Sequence, residues 1–126
     1  MLELLLRERI VAIFRGFEGD AADRAAEALV EGGIRLIEVT MNTPGALETI
    51  ARWREKFDGR AAVGAGTVLD LKMAKEAAAA GAKYLISPNL DEEVVAFGAE
   101  RGLSVWPGAM TPTEIVRAWK AGAEAV

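Results

Sequence analysis

Short apolar runs and longer mixed segments alternate along this chain. Runs rich in β-branched residues predict buried strands, and segments with apolar positions three and four apart predict helices. The predicted strands are residues 10–14, 34–40, 61–63, 84–86 and 103–106. The predicted helices are residues 20–31, a segment opened by Asn42-Thr43-Pro44 and followed by Gly59, residues 70–80, residues 91–101, and a segment from Thr111 to near Gly122.

The strand centres repeat at intervals of roughly 20 to 26 residues. Strands that alternate with helices through short loops are parallel, and two architectures fit: a doubly wound open sheet and a closed (βα)₈ barrel. The spacing favours the barrel, and residues 125–126 predict the start of a sixth strand. The length of 126 residues allows one domain or part of one.

Unusual residues cluster after each predicted strand. In a barrel the carboxyl ends of the strands meet at one mouth, where active sites are built, so these clusters predict a single site. They are Arg15-Gly16, then Glu38 with Thr40 and Asn42, then Gly64 with Gly66 and Thr67, then Ser87-Pro88-Asn89, and finally Pro107-Gly108.

The composition of the chain excludes several classes of protein, partner and catalytic group. The chain is 52% hydrophobic and 27% charged, which excludes intrinsic disorder as the main interpretation. A net charge of -4 with no basic run argues against nucleic acid as a partner. With no cysteine and no histidine, disulfides, thiolate metal sites and imidazole catalysis are excluded. Residues 1–13 are apolar but carry four charges, which predicts neither a signal peptide nor a membrane span, so we expect a soluble, cytoplasmic protein.

Glu38 and Arg15 are the strongest candidates for chemistry. Glu38 lies within a buried strand, where a carboxylate is costly unless it is paired or functional, and burial raises its pKa toward the range of an acid/base catalyst. The alternative is a structural ion pair with Arg15 or Arg35. Arg15 ends the first strand and suits a carboxylate or phosphate ligand, or else a salt bridge to Glu38.

Each of the remaining clusters has a structural explanation as well as a functional one. The stretch from Gly64 to Thr67 offers backbone amides and a hydroxyl to an anion, although glycines also serve tight turns. The Ser87-Pro88-Asn89 and Pro107-Gly108 segments are typical of turns, and Thr111 with Glu114 predicts a helix cap. Four of the five lysines fall on helices and Lys83 begins a strand, so none is placed as a catalytic amine at the mouth.

Taken together, these motifs resemble the class I 2-keto-3-deoxy-6-phosphogluconate (KDPG) aldolases and their 6-phosphogalactonate and 4-hydroxy-2-oxoglutarate relatives. The resemblance runs from about residue 7 to Val126. The matching stretches are residues 11–16, 33–40, 63–69, 86–89, 107–108 and 111–114.

The resemblance implies a (βα)₈ barrel that forms homotrimers and uses neither a metal nor a cofactor. A lysine on strand six would form a Schiff base with pyruvate, and Glu38 would move the protons. Thr67, beside the Gly66 backbone, would hold the pyruvate carboxylate. Arg15 would contact substrate anions and Pro88 would line the pocket. Asn42 stands where some members have an arginine, which leaves the choice between the gluconate and galactonate series open.

Relatives of this kind continue directly into the strand-six lysine, whereas this chain ends at Val126. Residues 1–126 are therefore expected to be a partial (βα)₈ barrel of about five and a half units, without the nucleophile. Two functions follow. The protein is a Schiff-base aldolase that cleaves a 2-keto-3-deoxy sugar acid phosphate, or a related 2-keto-4-hydroxy acid, to pyruvate and an aldehyde, or it is a non-catalytic partial barrel used as a scaffold or assembly module.

Overall fold

A computed structural model describes all of residues 1–126 as a regular alternation of strands and helices. The strands are β1 (Ala12–Phe14), β2 (Leu36–Thr40), β3 (Ala62–Gly66), β4 (Tyr84–Ser87) and β5 (Ser104–Pro107). The helices are α1 (Leu2–Glu8), α2 (Gly19–Glu31), α3 (Ala46–Lys56), α4 (Leu71–Ala79), α5 (Glu92–Arg101) and α6 (Pro112–Ala121). The predicted βα array is confirmed.

The five strands form one parallel sheet in the order β1-β2-β3-β4-β5, so each strand pairs with the next one along the chain. A doubly wound sheet would reverse its strand order at a switch point, whereas a (βα)₈ barrel adds its strands in sequence. The observed order is that of the barrel. Within it Glu38 lies opposite Ile13 on one side and Gly64 on the other.

The two faces of the sheet belong to different cores, because successive strand residues point in opposite directions. One face packs against the helices and carries a core of 21 buried residues that includes Ile37, Val63 and Leu85. The other face carries a smaller core of Leu36, Tyr84 and Trp106. This inner core occupies the position of the barrel interior.

Helix α1 was not predicted from the sequence. Its seven residues are too few to show a helical period, and the charges among them mask the apolar face. In the structure Leu4 and Leu5 pack against the inner core, so α1 covers the end of the barrel at which the strands begin. The packing accounts for this helix better than its local sequence does.

Helix α3 begins at Ala46, four residues after the predicted start at Asn42. Gly45, with φ of 66°, directly precedes the helix, and Thr43 is buried in the preceding loop. The sequence predicts Thr43 as part of the helix start, but its hydroxyl instead accepts from the Gly16 amide and lies 3.0 Å from the Thr40 hydroxyl of β2. Residues 125–126 form no strand in this structure, although Ala125 packs against the inner core.

The cap of α6 matches its prediction. The Thr111 hydroxyl accepts a hydrogen bond from the Glu114 amide at 3.3 Å, and the Glu114 carboxylate accepts one from the Thr111 amide at 3.0 Å. Pro112 occupies the first helical position. This reciprocal capping box gives Thr111 and Glu114 a structural role at the start of the helix.

Candidate active site

Glu38 lies in the middle of β2 on the inner face of the sheet, with 3% of its surface exposed. Burial raises the pKa of its carboxyl group, and the positive charge of Arg15 opposes that rise. Neither of the ion pairs left open by the sequence is formed. Arg35 instead donates to the carbonyls of Val30 and Ile34 at 2.9 and 3.1 Å. Glu38 is thus a buried carboxyl group without a salt-bridge partner.

Two glycines of β3 make room for large side chains from the neighbouring strands. A Cβ atom at Gly66 would lie 2.8 Å from Cγ of Glu38 and closer still to its carboxyl group. A Cβ atom at Gly64 would overlap the ring of Tyr84. The Gly-Ala-Gly pattern therefore serves close side-chain approach across the barrel interior, and Gly66 forms the surface beneath the Glu38 carboxyl group.

Thr67 follows β3 with φ of 57°, the left-handed region that a β-branched residue rarely adopts. The loop is held on both sides: the Met41 amide donates to the Gly66 carbonyl at 2.8 Å, and the Val68 amide donates to the Ile86 carbonyl at 3.1 Å. Backbone strain of this kind costs on the order of 1–3 kcal/mol and concentrates at functional sites. Thr67 is half-buried, directly beside Gly66.

Arg15 is exposed at the end of β1. Hydrogen bonds with Thr40 of β2 and with Thr43 hold the chain on both sides of it. The Gly16 amide donates to Thr43 Oγ1 at 2.9 Å, and the Thr43 and Thr40 hydroxyls are 3.0 Å apart. Thr40 Oγ1 also donates to the Phe14 carbonyl at 3.4 Å. Thr43 is the positioning residue that sequence reasoning missed, since a Thr-Pro pair is also typical of a helix start.

Pro88 is exposed in the loop after β4. Its backbone is close to Gly108, where a Cβ atom would overlap the Pro88 carbonyl, and the Gly108 amide donates to the Ser87 carbonyl at 2.8 Å. Asn42 is also exposed, in the loop after β2. The structure thus brings Glu38 against Gly66, which directly precedes Thr67, while Arg15, Pro88 and Asn42 follow their own strands at the same edge of the sheet.

No lysine belongs to a strand or to a loop that follows a strand. Lys83 comes directly before β4 at the opposite end of the strands, and the other four lie on α3, α4 and α6. The structure contains no group of three or more Asp, Glu, His or Cys side chains able to hold a metal ion. None of its helices has the length and apolar character needed to span a membrane.

Comparison with known proteins finds one family model and several relatives that match this chain. The family model described as KDPG and KHG aldolase matches residues 2–126. The 2-dehydro-3-deoxy-phosphogluconate aldolase of Treponema pallidum is 38% identical over 126 residues, which cover 100% of this chain and 60% of that protein. The 2-dehydro-3-deoxy-6-phosphogalactonate aldolase of Escherichia coli is 32% identical over 117 residues, covering 93% and 57%.

A solved structure of a relative has the same fold. The KDPG aldolase of Legionella pneumophila, with pyruvate captured as a covalent carbinolamine intermediate, superposes with a TM-score of 0.81 at 30% identity. The match covers 89% of this chain and 54% of that one. The chain thus spans between half and two thirds of the length of these relatives.

Proposed function

Since the chain belongs to the KDPG and KHG aldolase family, we propose that the whole protein is a class I aldolase. Its substrate would be a 2-keto-3-deoxy sugar acid phosphate or a related 2-keto-4-hydroxy acid, and its products pyruvate and an aldehyde. The observation that carries this proposal is Glu38, a buried carboxyl group at the mouth, without a salt bridge and with a raised pKa. A carboxyl group whose pKa is raised by burial is suited to act as a general acid and base.

The proposed chemistry proceeds by covalent amine catalysis. A lysine amine from the part of the barrel beyond β5 adds to the C2 carbonyl of the substrate and expels water, which forms an iminium ion. The C3–C4 bond then breaks: its electrons pass to the iminium and leave an enamine, and the C4 hydroxyl loses its proton as the aldehyde departs. Protonation of the enamine and addition of water release pyruvate and restore the amine. The Legionella relative supports an amine route, because its pyruvate is captured as a carbinolamine.

In this scheme Glu38 carries the protons, to and from the carbinolamine oxygen and at the carbon that becomes the pyruvate methyl group. Thr67 and the Gly66 backbone hold the pyruvate carboxylate. Arg15 contacts substrate anions, Pro88 lines the pocket and Asn42 lies at its rim. Gly66 ends β3, and the other binding residues follow their strands directly or closely. Their position supports the assignment, since a parallel barrel presents its chemistry at the carboxyl ends of its strands.

We also propose that the working protein is a homotrimer in the cytoplasm that requires neither metal nor cofactor. The alternative function, a non-catalytic scaffold, predicts no covalent adduct with pyruvate. The choice between gluconate and galactonate substrates stays open, because relatives of both names match this chain at 32% to 38% identity.

The proposal is tested by trapping the Schiff base. Incubation with pyruvate and borohydride should reduce the imine and leave one 1-carboxyethyl group on a lysine of the whole protein. Residues 1–126 alone should take up none, since their five lysines lie on helices or at the opposite end of the strands. A specific adduct on Lys83 or Lys120 would refute this placement, and no adduct on the whole protein would favour the scaffold.

A further inference from the structure

A second cavity lies at the end of the barrel where the strands begin. Its volume is about 410 Å³, and its wall includes Leu4 of α1 and Ala62 of β3. From Ala62 to Gly66 the strand advances four residues, or about 13 Å. The Glu38 carboxyl group lies against Gly66, and Glu38 is not among the residues that line this cavity, so the two sites are separate. Its charged lining residues are Arg7, Arg35, Arg54, Arg60, Lys83 and Asp58.

The charge of this lining is opposite to that of the protein. The chain carries a net charge of -4, yet five cationic side chains face this cavity against one carboxylate. Cationic side chains that lie close together repel one another, and an anion bound between them offsets that repulsion. Such a grouping in an acidic protein is what a bound anion would stabilise.

Three of these cations have no carboxylate partner. Arg35, Arg54 and Lys83 form no ion pair in the structure. The other two pair with carboxylates outside the lining, Arg7 with Glu8 at 2.8 Å and Arg60 with Glu27 at 2.6 Å. Glu27 also pairs with Lys56 at 2.9 Å, so its charge is shared.

Arg35 is held in place by hydrogen bonds, and Arg54 and Arg60 lie against neighbouring residues. Arg35 is fixed through one nitrogen, which donates to two backbone carbonyls and leaves its other N–H groups available. The Arg54 side chain passes so close to Gly81 that a Cβ atom there would lie 2.7 Å from its Cδ. Arg60 lies 5.7 Å from the centre of the Phe57 ring. Preorganised donors lose little conformational entropy on binding.

The size of the cavity indicates what kind of anion fits. A volume of about 410 Å³ lies within the range of small-molecule sites and exceeds what a single inorganic ion fills. An adjoining cavity of about 350 Å³ shares Arg7, Arg35, Gly59 and Arg60 with the first. Guanidinium groups recognise phosphate and carboxylate in the same bidentate way.

We propose that this cavity binds a small polyanionic metabolite, one with at least two phosphate or carboxylate groups, at the end of the barrel opposite the catalytic mouth. Arg35 and Arg54 supply the bidentate contacts and Lys83 supplies a point charge. The site uses none of the residues assigned to aldolase chemistry, so it stands or fails separately from the proposed function.

Calorimetric titration of the purified protein with inorganic pyrophosphate, and separately with citrate, tests the site. We expect at least one of them to bind with a Kd below the millimolar range at moderate salt. Combining Arg54→Gln with Lys83→Gln should weaken that binding by tenfold or more, and Lys83→Gln alone should weaken it several-fold. Binding of pyrophosphate alone would identify phosphate groups as the ligand chemistry, and binding of citrate alone would identify carboxylates.

Two controls separate this cavity from general charge effects and from the mouth. Lys72→Gln with Lys75→Gln removes the same charge from α4, outside the cavity, and should leave the affinity unchanged. Arg15→Gln alters the mouth and should also leave it unchanged. Thermal melts establish that every variant is folded. The proposal is overturned if neither anion binds, if the α4 pair weakens binding as much as the cavity pair, or if Arg15→Gln abolishes it.

Discussion

The carboxyl group of Glu38 occupies the space in which Gly66 would carry a side chain. A Cβ atom at position 66 would lie within 2.8 Å of Cγ of Glu38 and nearer to its carboxyl group. The two residues belong to adjacent strands, and Glu38 is only 3% exposed. The absence of one side chain on β3 therefore fixes the position of the acidic group on β2, and this close approach can be tested.

Gly66→Ala should displace the Glu38 carboxyl group. We expect a loss of about 1–3 kcal/mol in the free energy of unfolding, the usual cost of overpacking. Exchange of the pyruvate methyl protons should also fall in the whole protein. Denaturant titration and NMR in deuterated water measure the two effects. Gly32→Ala, at the end of α2 with φ of -71°, serves as the control and should preserve exchange. Normal exchange in Gly66→Ala would show that Glu38 tolerates the shift.

Glu38→Gln keeps the shape of the side chain and removes the base. In the whole protein we expect methyl-proton exchange to fall by roughly 10²- to 10⁴-fold, the usual loss when a general acid/base is removed. The affinity for pyruvate should change little, because Thr67 and Gly66 are assigned to the carboxylate. Thr67→Val should show the reverse pattern, with weaker pyruvate binding. Exchange that survives in Glu38→Gln would make Glu38 a structural residue.

The same substitution should change how stability depends on pH. Burial raises the pKa of Glu38 above its ordinary value of 4.5, with the Arg15 charge opposing the rise. The folded state therefore holds this proton more tightly than the unfolded state, so the stability of the native chain falls as pH rises from 4.5 through the raised pKa. Glu38→Gln should thus be more stable than the native chain at neutral pH, and this advantage should disappear in acid. Urea unfolding at both pH values checks this, and an advantage that grows in acid would reverse the sign of the shift.

Asp23 joins α2 to α3 through Trp53 and Arg52. Its carboxylate accepts from Trp53 Nε1 at 2.6 Å and from Arg52 at 2.8 Å, and the Arg52 bond is the main cause that lowers its pKa below 3.8. Asp23→Ala would leave the indole N–H of the buried Trp53 without a partner, at a cost of about 1–3 kcal/mol at neutral pH.

The contribution of Asp23 is present above pH 3.8 and should be lost as pH falls through the lowered pKa, because the carboxylate must then be protonated. Denaturant titration over a pH series measures both effects. Glu55→Ala removes an exposed acid of α3 that forms no ion pair, and should cost little. Equal losses in the two variants would contradict the role of Asp23.

The Tyr84 hydroxyl is buried in the inner core without a hydrogen-bond partner, while its ring stacks on Trp106 at 4.6 Å between centroids. Tyr84→Phe removes an unpaired polar group and keeps the stacking. It should leave the free energy of unfolding unchanged or raise it by up to about 1 kcal/mol. Tyr84→Ala, by contrast, should lose about 3–5 kcal/mol through the cavity it creates. A clear loss in Tyr84→Phe would indicate that a buried water bonds the hydroxyl.

The sequence by itself determined the repeating architecture and the presence of a buried carboxyl group, Glu38, within it. Strand and helix periods, glycine breaks and the Thr111 cap are local properties, so they could be read directly. Glu38 was found because a carboxyl group in an apolar strand is costly wherever the chain folds. The sequence also showed that its lysines fall outside the mouth, since each position follows from its place in a repeat.

Only the tertiary structure decided which distant residues meet. Helix α1 forms where Leu4 and Leu5 cover the inner core. Thr43 accepts a hydrogen bond from Gly16, 27 residues away in the sequence. The absence of a side chain at Gly66 leaves space for Glu38. The basic cavity collects cations from α1, α3 and the starts of β2, β3 and β4, which share no sequence pattern. Such contacts depend on the register of parallel strands and the direction of each side chain, and these are fixed only when the sheet assembles.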